Sequence, residues 1–161
     1  MSLRRDALSW GLVGVVLLLV GAASMYVLWP QLQPHVDLKL GDGVYKAQVA
    51  KTQDARDKNL TGVSGLADDQ AMLLVYDSDG KWRMTTQNTN FPVDIVWLNK
   101  DKQVVYILKN APPESYPYDS YVPTTDARYV IELAAGTVGK KAITIGTTAI
   151  FDENNMKGLQ L

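Results

Sequence analysis

The feature that most constrains this chain is a run of 23 uncharged residues, Ala7 to Trp29, near its N-terminus. At about 1.5 Å of rise per residue, a helix of this length spans a hydrocarbon core of roughly 30 Å. Arg4 and Arg5 precede the run and no basic residue follows until Lys39, so the positive-inside rule leaves residues 1–6 in the cytoplasm. We therefore expect a single-pass anchor in the plasma membrane, with the lipid bilayer as its partner over residues 7–29 and the remaining chain extracytoplasmic.

A cleaved signal peptide is the alternative interpretation of the same run. Gly21, Ala22 and Ala23 form a small-residue cleavage site. Apolar residues continue past this site to Trp29, however, and the apolar region of a signal peptide is shorter, at about 7–15 residues. The length of the run therefore favours an anchor, and both interpretations export the rest of the chain.

The composition excludes several classes of function. The 161 residues include 16 basic and 17 acidic side chains, which argues against the clustered basic face of a nucleic-acid binder. The absence of cysteine excludes disulfides, thiol nucleophiles and thiolate metal sites, and a single histidine excludes a multi-histidine metal site. We therefore expect no nucleic-acid partner, no metal and no cofactor.

Short β-type runs dominate the exported part. Residues 30–43 are predicted to be a linker, residues 44–152 a β domain and residues 153–161 a frayed tail. Thr52 to Leu60 is the one convincing helical stretch. Apolar runs bounded by turn residues predict strands at 44–50, 72–76, 93–98, 103–108 and 129–133, with one or more closing strands in 142–151. The predicted fold class is mainly β (α+β), a compact barrel-like domain with one short helix.

Five segments occur in an order that is typical of one family. The segment 71–76 is similar to the family's Gly-Met-Leu-Phe-Val-Phe strand, and 88–95 resembles its hallmark Asn-Thr-x-x-Pro-Leu-Asp-Ile. The other three segments are 49–56, 111–113 and 127–137. Through them the exported domain resembles domain of unknown function 192, an uncharacterised family of small exported or membrane-anchored bacterial and archaeal proteins. The resemblance implies the fold and the order of its elements, and it implies no activity, because none is established for the family.

Two departures from the family pattern bear on a ligand site. Residues 84–87 replace the family's Phe-Trp-Met-Lys with Met-Thr-Thr-Gln, which removes two aromatic side chains and a lysine. Residues 59–61 are Asn-Leu-Thr where the family has Gly-Leu-Met. If the missing side chains shape a family site, the version in this chain is altered.

Asp94 is the first candidate site residue, because it lies in a strand that is apolar on both faces. An unpaired buried carboxylate costs several kcal/mol, so Asp94 must find a partner. Asn88, Thr89 and Arg128 are the natural candidates. Two interpretations stay open, an internal clamp and a functional carboxylate in a pocket. Glu132, in contrast, follows the outward alternation of its strand and is predicted to be solvated.

A proline-rich and tyrosine-rich stretch, residues 110–128, is the other candidate site. Structureless connections longer than about 12–15 residues are uncommon and are often functional. Tyr116, Tyr118 and Tyr121 could stack on a sugar ring or grip a peptide, or they could belong to a flap that packs over the sheet. Asn88 and Thr89 either form a local turn or line the same ligand pocket.

Three functions of different classes are compatible with the sequence. The leading hypothesis is a non-enzymatic accessory module of the cell envelope that binds a partner protein or a small envelope ligand. A second is a hydrolase or glycan-modifying enzyme that uses Asp94, and a third is a structural accessory of a membrane complex. Asn88, Thr89, Asp94, Arg128 and the three tyrosines are the predicted ligand-binding residues, and no catalytic residue is assigned.

Overall fold

The computed structural model describes residues 35–113 and 120–156 of the chain. In chain order, the elements of these residues are β1 (Val36–Leu40), β2 (Gly43–Ala50), α1 (Gln53–Lys58), β3 (Gln70–Gly80), β4 (Met84–Thr85), β5 (Val93–Leu98), β6 (Val104–Ala111), β7 (Ser120–Tyr121), β8 (Ala127–Ala134), α2 (Thr137–Lys140) and a 3-10 helix (Glu153–Met156). The predicted membrane helix at 7–29 lies outside this range. Within the range, no helix is long and apolar enough to span a bilayer.

The strands form a six-stranded mixed sheet in the order β1-β2-β3-β8-β5-β6 and a small sheet of β4 and β7. Only β2 and β3 pair in parallel, and α1 lies on the connection between them, as a parallel crossover requires. The mainly β fold class is therefore confirmed. The large sheet is not a closed barrel, because β1 and β6 are its two edges, and the described residues form two short α-helices where one was expected.

The prediction of one or more closing strands within 142–151 is wrong. This segment has no regular strand and contacts the sheet through isolated bridges. Its backbone nevertheless reaches both edges: the Ile150 amide donates to the carbonyl of Lys39 in β1, and the Ala149 amide donates to the carbonyl of Lys102 just before β6, both at 2.8 Å. Since neighbouring residues of this segment contact both edges, the sheet is curled. The segment lies between β1 and β6, the two edges that would pair directly in a closed barrel.

Both faces of the sheet are covered by apolar clusters. In β5, Val96 and Leu98 face a first cluster, which includes residues of β1, α2 and the C-terminal segment. Val93, Ile95 and Trp97 face a second cluster, which includes Ala55 of α1 and Met84 of β4. Because side chains alternate along a strand, a sheet that is covered on both sides buries every residue of a central strand, and all six residues of β5 are buried.

Two of the predicted boundaries differ from the structure. The range 30–43, predicted to be a linker, contains β1, in which Val36, Leu38 and Leu40 are buried and the two residues between them are exposed. The predicted tail begins with the 3-10 helix, whose Met156 is buried in the first cluster. Both segments are short and amphipathic, so the burial of their apolar side chains in the first cluster determines their structure more than local propensity does.

Candidate functional site

The second cluster carries a group of half-buried aromatic side chains, which we call the aromatic face: Tyr76, Trp82, Phe91, Tyr106 and Tyr121. These rings pack on buried residues below them and keep part of their surface accessible. Trp97, which is fully buried, connects several of them from underneath, because its ring meets Tyr106 edge-on at 5.4 Å and its indole Nε1 donates to the Trp82 carbonyl at 2.9 Å. The aromatic face therefore rests on a rigid support.

Arg56, Tyr76 and Trp82 form a stack at one end of this face. The Tyr76 and Trp82 rings lie nearly parallel, with their centroids 4.0 Å apart, and the Arg56 guanidinium carbon lies 4.9 Å from the Tyr76 centroid. A ring stacked this closely leaves no room on the same side, so Arg56 and Trp82 lie on opposite faces of Tyr76. The arrangement combines aromatic stacking with a cation–π contact.

Local backbone features position the three side chains of the stack. The Thr52 hydroxyl caps α1 by accepting from the Ala55 amide, and the next residue of the helix is Arg56, which donates through Nη1 to the Val75 and Lys51 carbonyls. The regular pairing of β3 with β8 is interrupted directly after Val75 and resumes only at Gly80. Tyr76 is therefore the first residue of a bulged stretch, where the strand bends and re-aims its side chain.

Two hydrogen-bond donors in the stack are unsatisfied. The Trp82 indole Nε1 and the Arg56 Nε are both buried and have no hydrogen-bond partner. Buried donors are usually paired, so each unpaired one requires an explanation, such as an absent water or ligand. Both atoms are N–H donors, and a ligand that satisfies them must therefore supply acceptor oxygens.

The Tyr76 hydroxyl stays protonated beside these donors. Burial is the main reason that its pKa is raised to about 12; Arg56 opposes the rise, and the carboxylates of Glu132 and Asp57 add to it. The hydroxyl lies 4.0 Å from the Met84 sulfur, a contact with a weak acceptor. Tyr76 can therefore offer a neutral phenol to a ligand while its ring supports Arg56 and Trp82, and it is not a nucleophile at ordinary pH.

Glu132 lies below the aromatic face and not in solvent, so the prediction of a solvated strand charge is wrong. The residue is 1% exposed, and its strand neighbours across the sheet are Met72 and Ile95. Asn59, the residue that ends α1, donates through Nδ2 to the Glu132 Oε1 at 3.0 Å. Burial raises the pKa of Glu132 to about 7, and the Asn59 hydrogen bond partly offsets the rise.

Asp94 lies on the opposite face of the sheet from the aromatic face. It is fully buried, and its two oxygens accept from the backbone amides of Asn110 and Val138, each at 2.8 Å. The partners expected from the sequence are elsewhere: Arg128 forms an ion pair with Asp79 at 2.8 Å. The geometry favours the clamp over the pocket carboxylate, because both oxygens are occupied by structural bonds that tie β6 and α2 to β5.

The remaining predicted site residues divide into three groups. Tyr121 lies on the aromatic face, next to Met84 across the small sheet. Asn88 is exposed with a φ of 60°, and the Thr89 amide donates to the Thr86 carbonyl, as expected for turn residues. Tyr116 and Tyr118 lie outside the described residues.

Sequence reasoning missed most of the candidate site, namely Arg56, Asn59, Tyr76, Trp82 and Glu132. One usable signal was the pair of aromatic residues, Tyr76 and Trp82, that flank the polar run 77–80. No such signal exists for the remaining residues, Arg56, Asn59 and Glu132. They come together only where α1 approaches β8, and the Asn59–Glu132 hydrogen bond joins residues 73 positions apart.

The fold and site together define a class of protein: a small mainly β domain with a two-sided sheet and an accessible aromatic face supported by buried polar groups. The chain belongs to the DUF192 family, described as an uncharacterized ACR, whose sequence profile matches residues 36–151. No curated protein matches the chain.

Two solved structures have folds similar to that of this chain. One is a protein of unknown function from Novosphingobium aromaticivorans, with 20% identity, 71% of this chain and 84% of that chain covered, and a TM-score of 0.67. The other is described as a candidate transcription regulator from Sinorhizobium meliloti, with 23% identity, coverages of 72% and 92%, and a TM-score of 0.66. At these identities, the two likenesses concern the fold alone.

Proposed function

We propose that the domain is a non-enzymatic binding module that recognises a small ligand on its aromatic face. The observation that carries the proposal is the stack of Arg56, Tyr76 and Trp82, in which two buried N–H donors have no partner. Half-exposed rings supply apolar contact area at little entropic cost, and fixed donors beside them supply orientation. This combination suits recognition, and Asp94, the carboxylate that a hydrolase would need, is enclosed on the other face.

The unsatisfied donors indicate the chemistry of the ligand. A flat or saccharide ring would pack against the accessible part of Trp82, and separate oxygens of the ligand would accept from the indole Nε1 and from the Arg56 Nε, which lie on opposite sides of Tyr76. Binding of the ligand requires a small outward shift of these side chains, because both nitrogen atoms are buried. Tyr121 extends the same apolar surface and would contact a larger ligand.

The test is a titration of the full-length protein in detergent micelles with two defined probes, an N-acetylglucosamine tetramer and an acetylated tetrapeptide. The indole N–H signal of Trp82, assigned by its loss in Trp82→Phe, is followed by NMR. The N-acetylglucosamine tetramer is expected to shift this signal saturably. Both probes offer acceptor oxygens, but only the tetramer has the saccharide ring that packs against Trp82. Tyr76→Leu should weaken that binding at least tenfold.

Arg83→Ala is the matched control, because Arg83 is the exposed chain neighbour of Trp82. This variant should bind like the unmodified protein. Binding that survives both Trp82→Phe and Tyr76→Leu would place the ligand elsewhere, and a Trp82 signal that neither probe moves would count against the proposal.

We also propose that residues 7–29 hold the module at the outer face of the plasma membrane. The support is the uncharged length of this run and the arginines on its N-terminal side only. Protease treatment of intact cells should remove the domain while leaving a membrane-bound N-terminal fragment. A domain that is protected in intact cells and cleaved only after lysis would contradict this topology.

A further inference from the structure

The Glu132–Asn59 pair shares one hydrogen bond and also buries two oxygen atoms that have no hydrogen-bond partner. The Asn59 Nδ2 donates to the Glu132 Oε1, yet the other carboxyl oxygen, Glu132 Oε2, and the amide oxygen, Asn59 Oδ1, are both buried without a partner. A carboxylate oxygen and an amide oxygen are both acceptors only. With Glu132 ionised, these two side chains would therefore bury two acceptors with no donor between them, which destabilises the folded state.

A single proton satisfies both oxygens at once. When Glu132 is protonated on Oε2, that hydroxyl becomes a donor, and the Asn59 Oδ1 is an unsatisfied acceptor on the side chain already bonded to Glu132. The result is a planar acid–amide ring with two hydrogen bonds: Asn59 Nδ2–H to Glu132 Oε1, and Glu132 Oε2–H to Asn59 Oδ1. Both unsatisfied oxygens then take part in a hydrogen bond.

We propose that Glu132 and Asn59 form a proton-binding site, and that the shared proton locks the C-terminal end of α1 onto β8. Asn59 is the residue after the helix, and its backbone amide donates to the Ala55 carbonyl, which places its side chain at the C-terminal end of α1. Arg56 lies one helical turn before Asn59, so the lock also holds the guanidinium over Tyr76. The consequence for ligand binding rests on the proposed function; the proton site does not.

The groups around Glu132 are consistent with a neutral acid. From β8 and the strands beside it, Glu132 faces Met72 and Ile95, and the one titratable neighbour among the described strand residues is the phenol of Tyr76 on β3. From α1, Arg56 is turned toward backbone carbonyls, and the group of this helix end that acts on the Glu132 carboxyl is the neutral amide of Asn59. Within the described residues no cation forms an ion pair with Glu132. Burial without a counter-charge accordingly raises its pKa to about 7.

Loss of this proton should release the lock. As the pH rises from 4.5 to about 7 the folded state becomes less stable, and above about 7 the ionised carboxyl has one donor and faces the Asn59 Oδ1 as a second acceptor, so the end of α1 separates from β8. The pH at which this happens lies within the range that an extracytoplasmic domain can meet. The aromatic face would thus present Arg56 differently on the two sides of neutral pH.

Carboxyl titration by NMR tests the proposal directly. The chain has three glutamates, Glu114, Glu132 and Glu153, so labelling glutamate at the side-chain carboxyl carbon gives three signals. In the full-length protein in micelles without any ligand, one signal should titrate near pH 7 and should be absent in Glu132→Gln. The Trp82 indole signal should move with the same midpoint. Three signals that all titrate near the ordinary glutamate value would overturn the proposal.

Urea unfolding of the same protein gives a second, independent readout. Glu132→Gln keeps the two-bond ring, because a glutamine amide can replace the protonated acid as a donor to Asn59 Oδ1. The unfolding equilibrium constant of the unmodified protein should rise about tenfold per pH unit between 5 and 7, and that of Glu132→Gln should not. Glu153→Gln, an exposed carboxyl change, should retain the tenfold dependence. Equal pH dependence in Glu132→Gln and the unmodified protein would refute the shared proton, whatever the binding experiments show.

Discussion

At the scale of single residues, the domain buries two carboxyl groups and satisfies them differently. Asp94 is surrounded by backbone amides and accepts from two of them, Asn110 and Val138, so each of its oxygens has a donor. Glu132 receives one donor from a side chain and none from the backbone. Hydrogen bonds to a buried carboxylate favour its charged form, whereas burial without them favours the neutral acid. Burial therefore outweighs hydrogen bonding at Glu132, whereas each oxygen of Asp94 belongs to a structural hydrogen bond.

The clamp predicts a large effect from a small change at Asp94. Asp94→Asn replaces one acceptor oxygen by an NH₂ group, which would then face a backbone N–H, donor against donor. We expect the free energy of unfolding to fall by about 2–4 kcal/mol, measured by urea unfolding at constant pH. Asp79→Asn, which breaks an ion pair between half-exposed side chains, should change it by less than about 1 kcal/mol. Equal effects of the two substitutions would show that the amide bonds to Asp94 are unimportant.

At the scale of elements, the turn between β1 and β2 connects the sheet edge to the end of α2. Gly41 has a φ of 56°, and a Cβ placed on it would lie 2.2 Å from the Lys141 carbonyl oxygen. The next amide, that of Asp42, donates to this same oxygen at 2.9 Å. The turn therefore requires both a left-handed conformation and a close backbone approach, which glycine alone permits without strain.

This geometry predicts opposite outcomes for two glycines. Gly41→Ala should lower the free energy of unfolding by more than about 1 kcal/mol, because a Cβ both collides with the carbonyl and disfavours the positive φ. Gly65→Ala should be neutral or stabilising by about 0.4–1 kcal/mol, since a Cβ there meets no atom within 4 Å and its φ is ordinary. Thermal unfolding followed by circular dichroism measures both. A Gly41→Ala protein as stable as Gly65→Ala would contradict the close contact.

Whether an element could be predicted from the sequence depends on how local its contacts are. The hairpin of β5 and β6 was predictable, because apolar runs flank a polar turn, and the hydrogen bonds of Asn99 within that turn are local. The segment 142–151 was not, because its bonds go to two distant edges and its own alternation is poor. Glu132 was mispredicted for a related reason. Alternation gives the direction of a side chain, and only the position of α1 determines that this direction is also buried.

At the scale of the whole molecule, one lysine in the β5–β6 turn reinforces the backbone hydrogen bonds between the C-terminal segment and the sheet. The Lys102 Nζ donates to the Phe151 carbonyl at 2.9 Å, lies 4.3 Å from the Phe151 ring centroid and pairs with Glu153 at 3.2 Å. Its neighbour Lys100 is exposed in the same turn. Three interactions of one amino group therefore fix the C-terminal segment to the β5–β6 turn, and the Ile150 amide connects the same segment to β1.

Removing this amino group should destabilise the whole domain and not only the segment. Lys102→Met keeps most of the apolar stem and removes the charge, and we expect a loss of about 1–3 kcal/mol in the free energy of unfolding. Lys100→Met, in the same turn, should be neutral. Hydrogen exchange should show faster exchange of the Ile150 amide and of amides in the first cluster in Lys102→Met. Normal exchange in that variant would mean that the segment is held by its backbone bonds and packing alone.

The two shifted glutamates together predict that stability passes through a maximum in mildly acidic solution. The pKa of Glu132 is raised from 4.5 to about 7 by burial, so its contribution is complete below 4.5 and is lost as the pH rises toward 7. The pKa of Glu153 is lowered, chiefly by the hydrogen bond from the Tyr129 hydroxyl and also by Lys102, so its contribution is present above 4.5 and is lost as the pH falls. Thermal unfolding of the full-length protein between pH 3 and 9 should show both limbs. Glu132→Gln should flatten the alkaline limb alone and Glu153→Gln should make the acid limb shallower alone, whereas a melting temperature that rises steadily from pH 4 to 8 would contradict the assignment of Glu132.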